Sequence, residues 1–320
     1  MYSNKRVLLI AGGGTLGTYV SKELLRLGAT VEIICPEEKV SDNERLIFHR
    51  SLATEDLLRE LFLKKHYDGI VNFIHYKEVD DYMKIHPLLI ANTDHLIFLS
   101  SYRVYADEQH PITESAPRLF DVIKDDDFLL NEKYAVPKSK CEDYLRSKCA
   151  NEPWTIVRPV ISFSDNRLDL LMYSGHDVIH AAKDAKELLL PKTVKDYCAG
   201  IDWAGNSGKI IANLLFKQTA IGEIFTIYSG HNLTWGAVAS VYQKLTGVTI
   251  RWCEEEDYID FHTRLQGTTG LGWGWKYDRC YNRDIDCSKV LRVTGLTQDD
   301  FLSLEQGLRH ELEKLRCNRM

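Results

Sequence analysis

The chain has no apolar run near the roughly 20 residues that a membrane span requires, so no transmembrane helix is expected. Basic charge is also in short supply. Lys and Arg number 40 against 46 Asp and Glu, a formal net charge of −6, and they are scattered rather than gathered in a block. This balance argues against an electrostatic nucleic-acid binder. The eight cysteines form no Cys-x-x-Cys pair and no zinc-ligand spacing, so free thiols in a reducing compartment are expected instead of a disulfide framework. His176 and His180 stand four apart but lack a Glu-x-x-His context, and they read as ordinary histidines with no metal bound. No internal repeat or low-complexity stretch is present. The first strand begins so early that no signal peptide fits before it, which makes the cytoplasm the expected compartment.

What the sequence does contain is the composition of a globular protein, 44% hydrophobic and 27% charged over 320 residues. That length suits two domains, or one domain with an elaborated lobe. The run Val7-Leu8-Leu9-Ile10 fits a strand buried on both faces, as in a parallel sheet. It breaks into Gly12, Gly14 and Gly17, and the apolar positions Val20, Leu24, Leu25 and Leu27 then recur at helical spacing up to Gly28. Gly-x-Gly-x-x-Gly between a buried strand and a helix is the dinucleotide-binding pattern. The first glycine permits the sharp turn, the second lets backbone approach a pyrophosphate, and the third lets helix and strand pack closely. Thr15 and Leu16 open the helix, whose free N–H groups and partial positive charge attract phosphate.

Further strands are expected at residues 31–34, 46–48, 69–74, 95–99 and 154–159, alternating with helical patterns. Thr54 is the expected cap of a helix that carries Leu57, Leu58, Leu61 and Phe62. Such alternation predicts an α/β fold, a Rossmann-type doubly wound parallel sheet. Ligands of these sheets lie at the carboxyl ends of the strands, so Gly12 to Gly17, His75 and Ser100-Ser101 should line one crevice. The second strand ends at Cys35, where an acidic residue commonly meets the adenosine ribose. Glu37 and Glu38 follow, and no arginine stands there for a 2′-phosphate, so NAD is favoured while NADP stays open. A helix is expected over 131–149, starting or bending at Pro137. After the strand stopped by Pro159 the pattern loosens. The dinucleotide domain is therefore expected over 1–160 plus about 203–229, with a second lobe over about 161–202 and 230–320. The loop Gly267 to Trp275, rich in glycine and tryptophan, reads equally as a mobile surface loop or a lid. Leu302, Leu304, Leu308, Leu312 and Leu315 mark a closing amphipathic helix.

Tyr134 and Lys138 lie four apart, which stacks them on one helix face. A tyrosine hydroxyl is a poor base at neutral pH, but a neighbouring ammonium and an oxidised nicotinamide both favour its phenolate. Ser101, at the end of the fifth strand, can hydrogen-bond the same substrate oxygen. With these residues the sequence resembles the extended short-chain dehydrogenase/reductase superfamily, the NAD-dependent epimerase/dehydratase branch. The resemblance is carried by the glycine loop, Leu99-Ser100-Ser101-Tyr102-Arg103-Val104-Tyr105, Pro111-Ile112-Thr113-Glu114, Tyr134 to Lys138 with Glu142, Ile156-Val157-Arg158-Pro159, and Gly222 to Ile227 followed by Leu233-Thr234.

That resemblance implies Ser101, Tyr134 and Lys138 as the catalytic set. It implies cofactor contacts from Gly12, Gly14, Thr15, Leu16, Gly17, Cys35, His75, Tyr134, Lys138 and Pro159. It implies a smaller carboxyl-terminal lobe that binds a small-molecule substrate, often a nucleotide sugar, and a homodimer through helices next to the tyrosine. The expected activity is epimerisation or reduction at a secondary alcohol or ketone. Several positions depart from the family pattern. Ala11 takes the place of the first glycine in the Gly-x-x-Gly-x-x-Gly register, Cys35 that of the ribose acid, and Ser51 that of the acid after the third strand. Tyr102 and Arg103 stand where dehydratases carry Asp and Glu, which argues against a sugar 4,6-dehydratase. These departures resemble an atypical subgroup with RNA-associated chloroplast members, so a regulatory NAD(P)-binding protein is the alternative expectation.

Overall fold

The computed structural model describes residues 2–317. Seven strands build one sheet: β1 (Arg6–Ile10), β2 (Thr30–Cys35), β3 (Leu46–Arg50), β4 (Gly69–Asn72), β5 (Leu96–Leu99), β6 (Trp154–Pro159) and, returning later in the chain, Glu223–Ile227. Every pairing is parallel, and the Glu223–Ile227 strand lies outermost, followed by β6, β5, β4, β1, β2 and β3. The order reverses at β1, which places the glycine loop at the switch point where such sheets bind ligands.

Strand alternation distributes the core to both faces. Val7, Leu9, Val31, Ile33, Val71 and Val157 pack against Val20 and Leu24 of helix α1 (Thr15–Leu27) and against Ile210, Ile211 and Leu214 of the Ala204–Leu214 helix. Leu8, Ile10, Ile34, Ile70 and Leu96 face the opposite way, toward Leu58 and Leu61 of α2 (Glu55–Lys64) and Leu89 of α3 (Val79–Ile90). The sheet is therefore doubly wound, as the strand–helix alternation predicts. Glu32 is the buried exception in β2. Burial would raise its carboxyl, but hydrogen bonds from His49, Lys65 and Tyr67 hold it down to about 2.

Outside this sheet lie two parallel strand pairs, Ile161–Phe163 with Ile201–Trp203 and Glu187–Pro191 with Thr249–Cys253. An apolar cluster that includes Tyr173, Trp235, Tyr242 and Tyr258 packs beside them. Thr54 and Thr234 cap their helices by accepting from Leu57 N at 3.3 Å and Ala237 N at 3.2 Å. No helix of the described residues is long and apolar enough to cross a membrane, and the described cysteine thiols are free. The Cys317 side chain lies outside the described residues.

The helix expected over 131–149 forms as two pieces. Asp125 caps a short helix, Asp126–Asn131, and the main helix runs Ala135–Lys148. Pro137 explains the break. In the first turn its missing N–H is not needed, whereas a helix continued back through Lys133 would lose that hydrogen bond and set the proline ring against the Lys133 carbonyl.

Candidate active site

The glycines of the loop serve different ends. A Cβ on Gly12 would lie 2.7 Å from Leu9 Cβ, and one on Gly17 would lie 2.2 Å from Gly12 O. Both glycines therefore exist for strand–helix contact. Nothing lies within 4 Å of a Cβ on Gly14, which caps α1 with no side-chain hydrogen bond and no acidic residue in the following turn. The N–H groups of that first turn are left for a ligand. Ala11 adopts φ +56°, a left-handed backbone that favours glycine. Beyond the loop, Cys35 is buried and its thiol donates to Glu37 O at 3.6 Å. Lys39 reaches back to Gly13 O at 2.5 Å.

At the carboxyl end of β5 the chain turns through Tyr102–Val104, capped by Ser101, whose Oγ accepts from Arg103 N at 3.2 Å. Across the cleft, Tyr134 lies just before the Ala135–Lys148 helix with φ −127° and ψ −68°. Glu132 accepts from Tyr134 N at 2.9 Å and from Val136 N at 3.0 Å. This carboxylate is the cap that holds the tyrosine out of the helix and over the cavity. Lys138 donates to Leu99 O at 2.6 Å, with Nζ 5.5 Å from the Tyr134 ring centroid. Burial lowers its ammonium to about 8. His75 donates through Nε2 to Lys133 O at 2.6 Å and packs its ring 5.1 Å from that of Tyr134. Burial, and then the Lys138 charge, lower the His75 pKa.

These elements enclose a cavity of about 410 Å³. Gly14, Thr15, Leu16, Gly17, Ser101, Tyr134 and Pro159 all line it, so residues from four separate stretches meet there. Gly12, Cys35, His75 and Lys138 are not on its wall. Gly12 faces Leu9, Cys35 turns toward Glu37, and His75 and Lys138 flank the tyrosine ring. The wall also holds Arg103, Arg167, Asp278 and Arg279, none of which was among the expected site residues. Asp278 and Arg279 follow the Gly- and Trp-rich loop directly, and no local pattern ties them to Tyr102. In the fold Tyr102 donates to Asp278 at 2.7 Å and accepts from Arg279 at 2.8 Å. The tryptophan end of that loop is anchored. Trp273 packs edge-on against Phe128, and Trp275 is buried against Tyr258. His176 and His180 lie away from the cavity on the exposed side of the Gly175–Lys183 helix, with ring centroids 4.0 Å apart.

Behind the cavity a buried network aligns its walls. Arg158 grips Glu142 with two bonds, at 2.9 and 2.5 Å, fastening the Ala135–Lys148 helix to β6. Burial would raise the Glu142 carboxyl, but the Arg158 charge holds it low. Arg158 also donates to Glu114 O at 3.1 Å, and Glu114 accepts from Thr226 N at 2.8 Å. Tyr105 completes the network through Thr226 at 2.6 Å. Segments far apart in the sequence thus form one support, and its charged pair is bidentate and enclosed.

No protein-family model matches the chain, and no curated protein matches it. Solved structures do match, at low identity. An epimerase from the methanogen Methanothermobacter thermautotrophicus superposes with a TM-score of 0.72 and 16% identity, covering 99% of this chain and 94% of that one. A dTDP-glucose 4,6-dehydratase from Bacillus anthracis, in complex with NAD, gives 0.70 and 15% identity over 98% and 97%. A UDP-glucose-4-epimerase from Stenotrophomonas maltophila, with bound NAD and formylated UDP-arabinopyranose, gives 0.69 and 14% identity over 99% of both chains. Over nearly its whole length, then, this chain has the fold of these epimerase and dehydratase structures.

Proposed function

We propose that this protein is an NAD-dependent epimerase or reductase acting at a secondary alcohol or ketone, with a nucleotide-linked sugar as substrate. One observation carries the reading: the open backbone at Gly14 and the groups Ser101 and Tyr134 face a single cavity at the carboxyl ends of parallel strands. The solved complexes with NAD and a sugar nucleotide support the same assignment.

The site suits a dinucleotide. Gly14, Thr15 and Leu16 would hold the pyrophosphate on unpaired N–H groups, and Glu37 stands beside Gly13 for the adenosine ribose. Bound NAD would supply the hydride acceptor or donor at the reacting carbon. Tyr134 exchanges the proton of the attached oxygen, Ser101 holds that oxygen by a hydrogen bond, and Lys138 favours the phenolate by its charge. Tyr134 leaves with one proton on oxidation of the alcohol and returns it on reduction of the ketone. The free thiols suit a reducing compartment such as the cytoplasm, and the helices next to Tyr134 are the proposed homodimer surface.

Calorimetry of the purified protein with NAD and NADP is the first test. Absence of binding of both at millimolar concentration overturns the reading. A screen of nucleotide sugars by mass spectrometry, run with the wild type and Tyr134→Phe, then identifies the substrate.

A further inference from the structure

The cavity wall carries a guanidinium that makes no side-chain hydrogen bond within the fold. Arg103 lies on the turn after Ser101, with its guanidinium centre 4.8 Å from the Tyr134 ring centroid. Its Nε is buried without a hydrogen-bond partner. Two carboxylates approach only at ion-pair range, Glu132 at 3.7 Å and Asp278 at 3.5 Å, and both are otherwise engaged. Glu132 caps the Ala135–Lys148 helix through two backbone N–H groups. Asp278 accepts from Tyr102 and Arg279 and pairs with Arg283 at 3.4 Å.

The other arginines of the wall are occupied. Arg167 pairs with Asp169 at 2.6 Å, and Arg279 donates to Leu171 O at 3.0 Å and to Tyr102 at 2.8 Å. Among the described residues, the Arg103 fork alone on this wall lacks a hydrogen-bonding partner, although it offers five donors in a geometry matched to a planar oxyanion. Nε is enclosed beside Asp278 at 3.5 Å, whereas the terminal N–H groups belong to a side chain that is partly exposed on the cavity wall and make no hydrogen bond, which leaves them to an acceptor in the cavity.

We propose that Arg103 binds a carboxylate of the substrate, carried close to the carbon whose oxygen meets Tyr134. The substrate is then a sugar acid or a related hydroxy acid, and Arg103 determines that specificity. The proposal rests on the functional reading above, because it is Tyr134 that places the reacting carbon next to the guanidinium.

Two matched pairs of probes test it: UDP-glucuronate against UDP-glucose, and free glucuronate against glucose, each pair differing by one carboxylate. With the NAD-loaded protein, calorimetry should show the acid of at least one pair binding about tenfold tighter or more. Arg103→Gln should remove that preference while leaving the affinity for the neutral probe and for NAD unchanged. Arg103→Lys, which keeps the charge without the fork, should retain only part of it. No carboxylate preference in either pair, or a preference that survives in Arg103→Gln, overturns the proposal. The same titrations without NAD separate the two readings. An Arg103-dependent preference in a protein that binds no NAD refutes the oxidoreductase assignment alone, whereas NAD binding without the preference refutes the carboxylate site alone.

Discussion

The two ends of the cleft are built in different ways. At the glycine loop the first helical turn offers backbone N–H donors, and side chains are excluded: Gly12 and Gly17 touch neighbours that leave no room for a Cβ. At the Tyr134 end the groups are side chains, with Lys138, His75 and Arg103 arranged about one aromatic ring. A backbone site depends on where helix and strand sit, so it fails when packing changes. A side-chain site depends on charge and proton position, so it fails when chemistry changes while packing stays.

The largest effect should come from the side-chain end. Tyr134→Phe should lower turnover by about 10²–10⁴-fold, the usual contribution of a positioned acid or base, with affinity for NAD nearly unchanged by calorimetry. Unaltered turnover would remove Tyr134 from the mechanism. Gly17→Ala should do the reverse. Its Cβ would meet Gly12 backbone, which cannot yield as a flexible side chain can, so stability should fall by about 3 kcal/mol in thermal or urea unfolding, with weakened NAD binding. A fully stable variant would show that the loop tolerates displacement and would blur the distinction between the two ends.

A smaller effect concerns pH. Lys138 loses its charge as pH rises through about 8, so its support for the Tyr134 phenolate disappears on the alkaline side, and activity should decline above that pH. Lys138→Gln should have lower activity at pH 7 and a flattened alkaline limb, measured as kcat/KM against pH; an unchanged limb would assign it to another group. The smallest effect belongs to Ala11. Its left-handed backbone is strained for a residue with a Cβ, so Ala11→Gly should stabilise the fold by about 1 kcal/mol, the left-handed penalty less the extra chain entropy of glycine. A loss of stability would mean that Ala11 contributes packing that outweighs the strain.

Much of the fold was legible because its signals are local. Strand β1, the glycine spacing and the alternation of strands with helices all follow from nearest neighbours and periodicity, and the seven-stranded parallel sheet bears this pattern out. Pro137 was legible as well: a helix beginning just before it or bending there was expected, and the main helix begins at Ala135. The separate short helix capped by Asp125 was not recognised. Ser101 and Tyr134, expected in the site from the family resemblance, both line the cavity. Glu132 was missed because its acceptance of two N–H groups depends on where the Ala135–Lys148 helix starts. Arg103 was read only as a departure from the dehydratase pattern, since its lack of a side-chain hydrogen bond follows only once Glu132 and Asp278 have been assigned other partners.

By itself, therefore, the sequence determined the class of fold and the glycine loop, with a tyrosine and a lysine four residues apart, because such features need only the geometry of a strand and a helix. Tertiary structure decided which of these groups share a cavity. It brought Asp278 and Arg279 to Tyr102 across more than half of the chain, and it turned Cys35 and Lys138 away from the wall. Those outcomes depend on long-range packing and on competition among buried donors and acceptors, which no stretch of residues specifies alone.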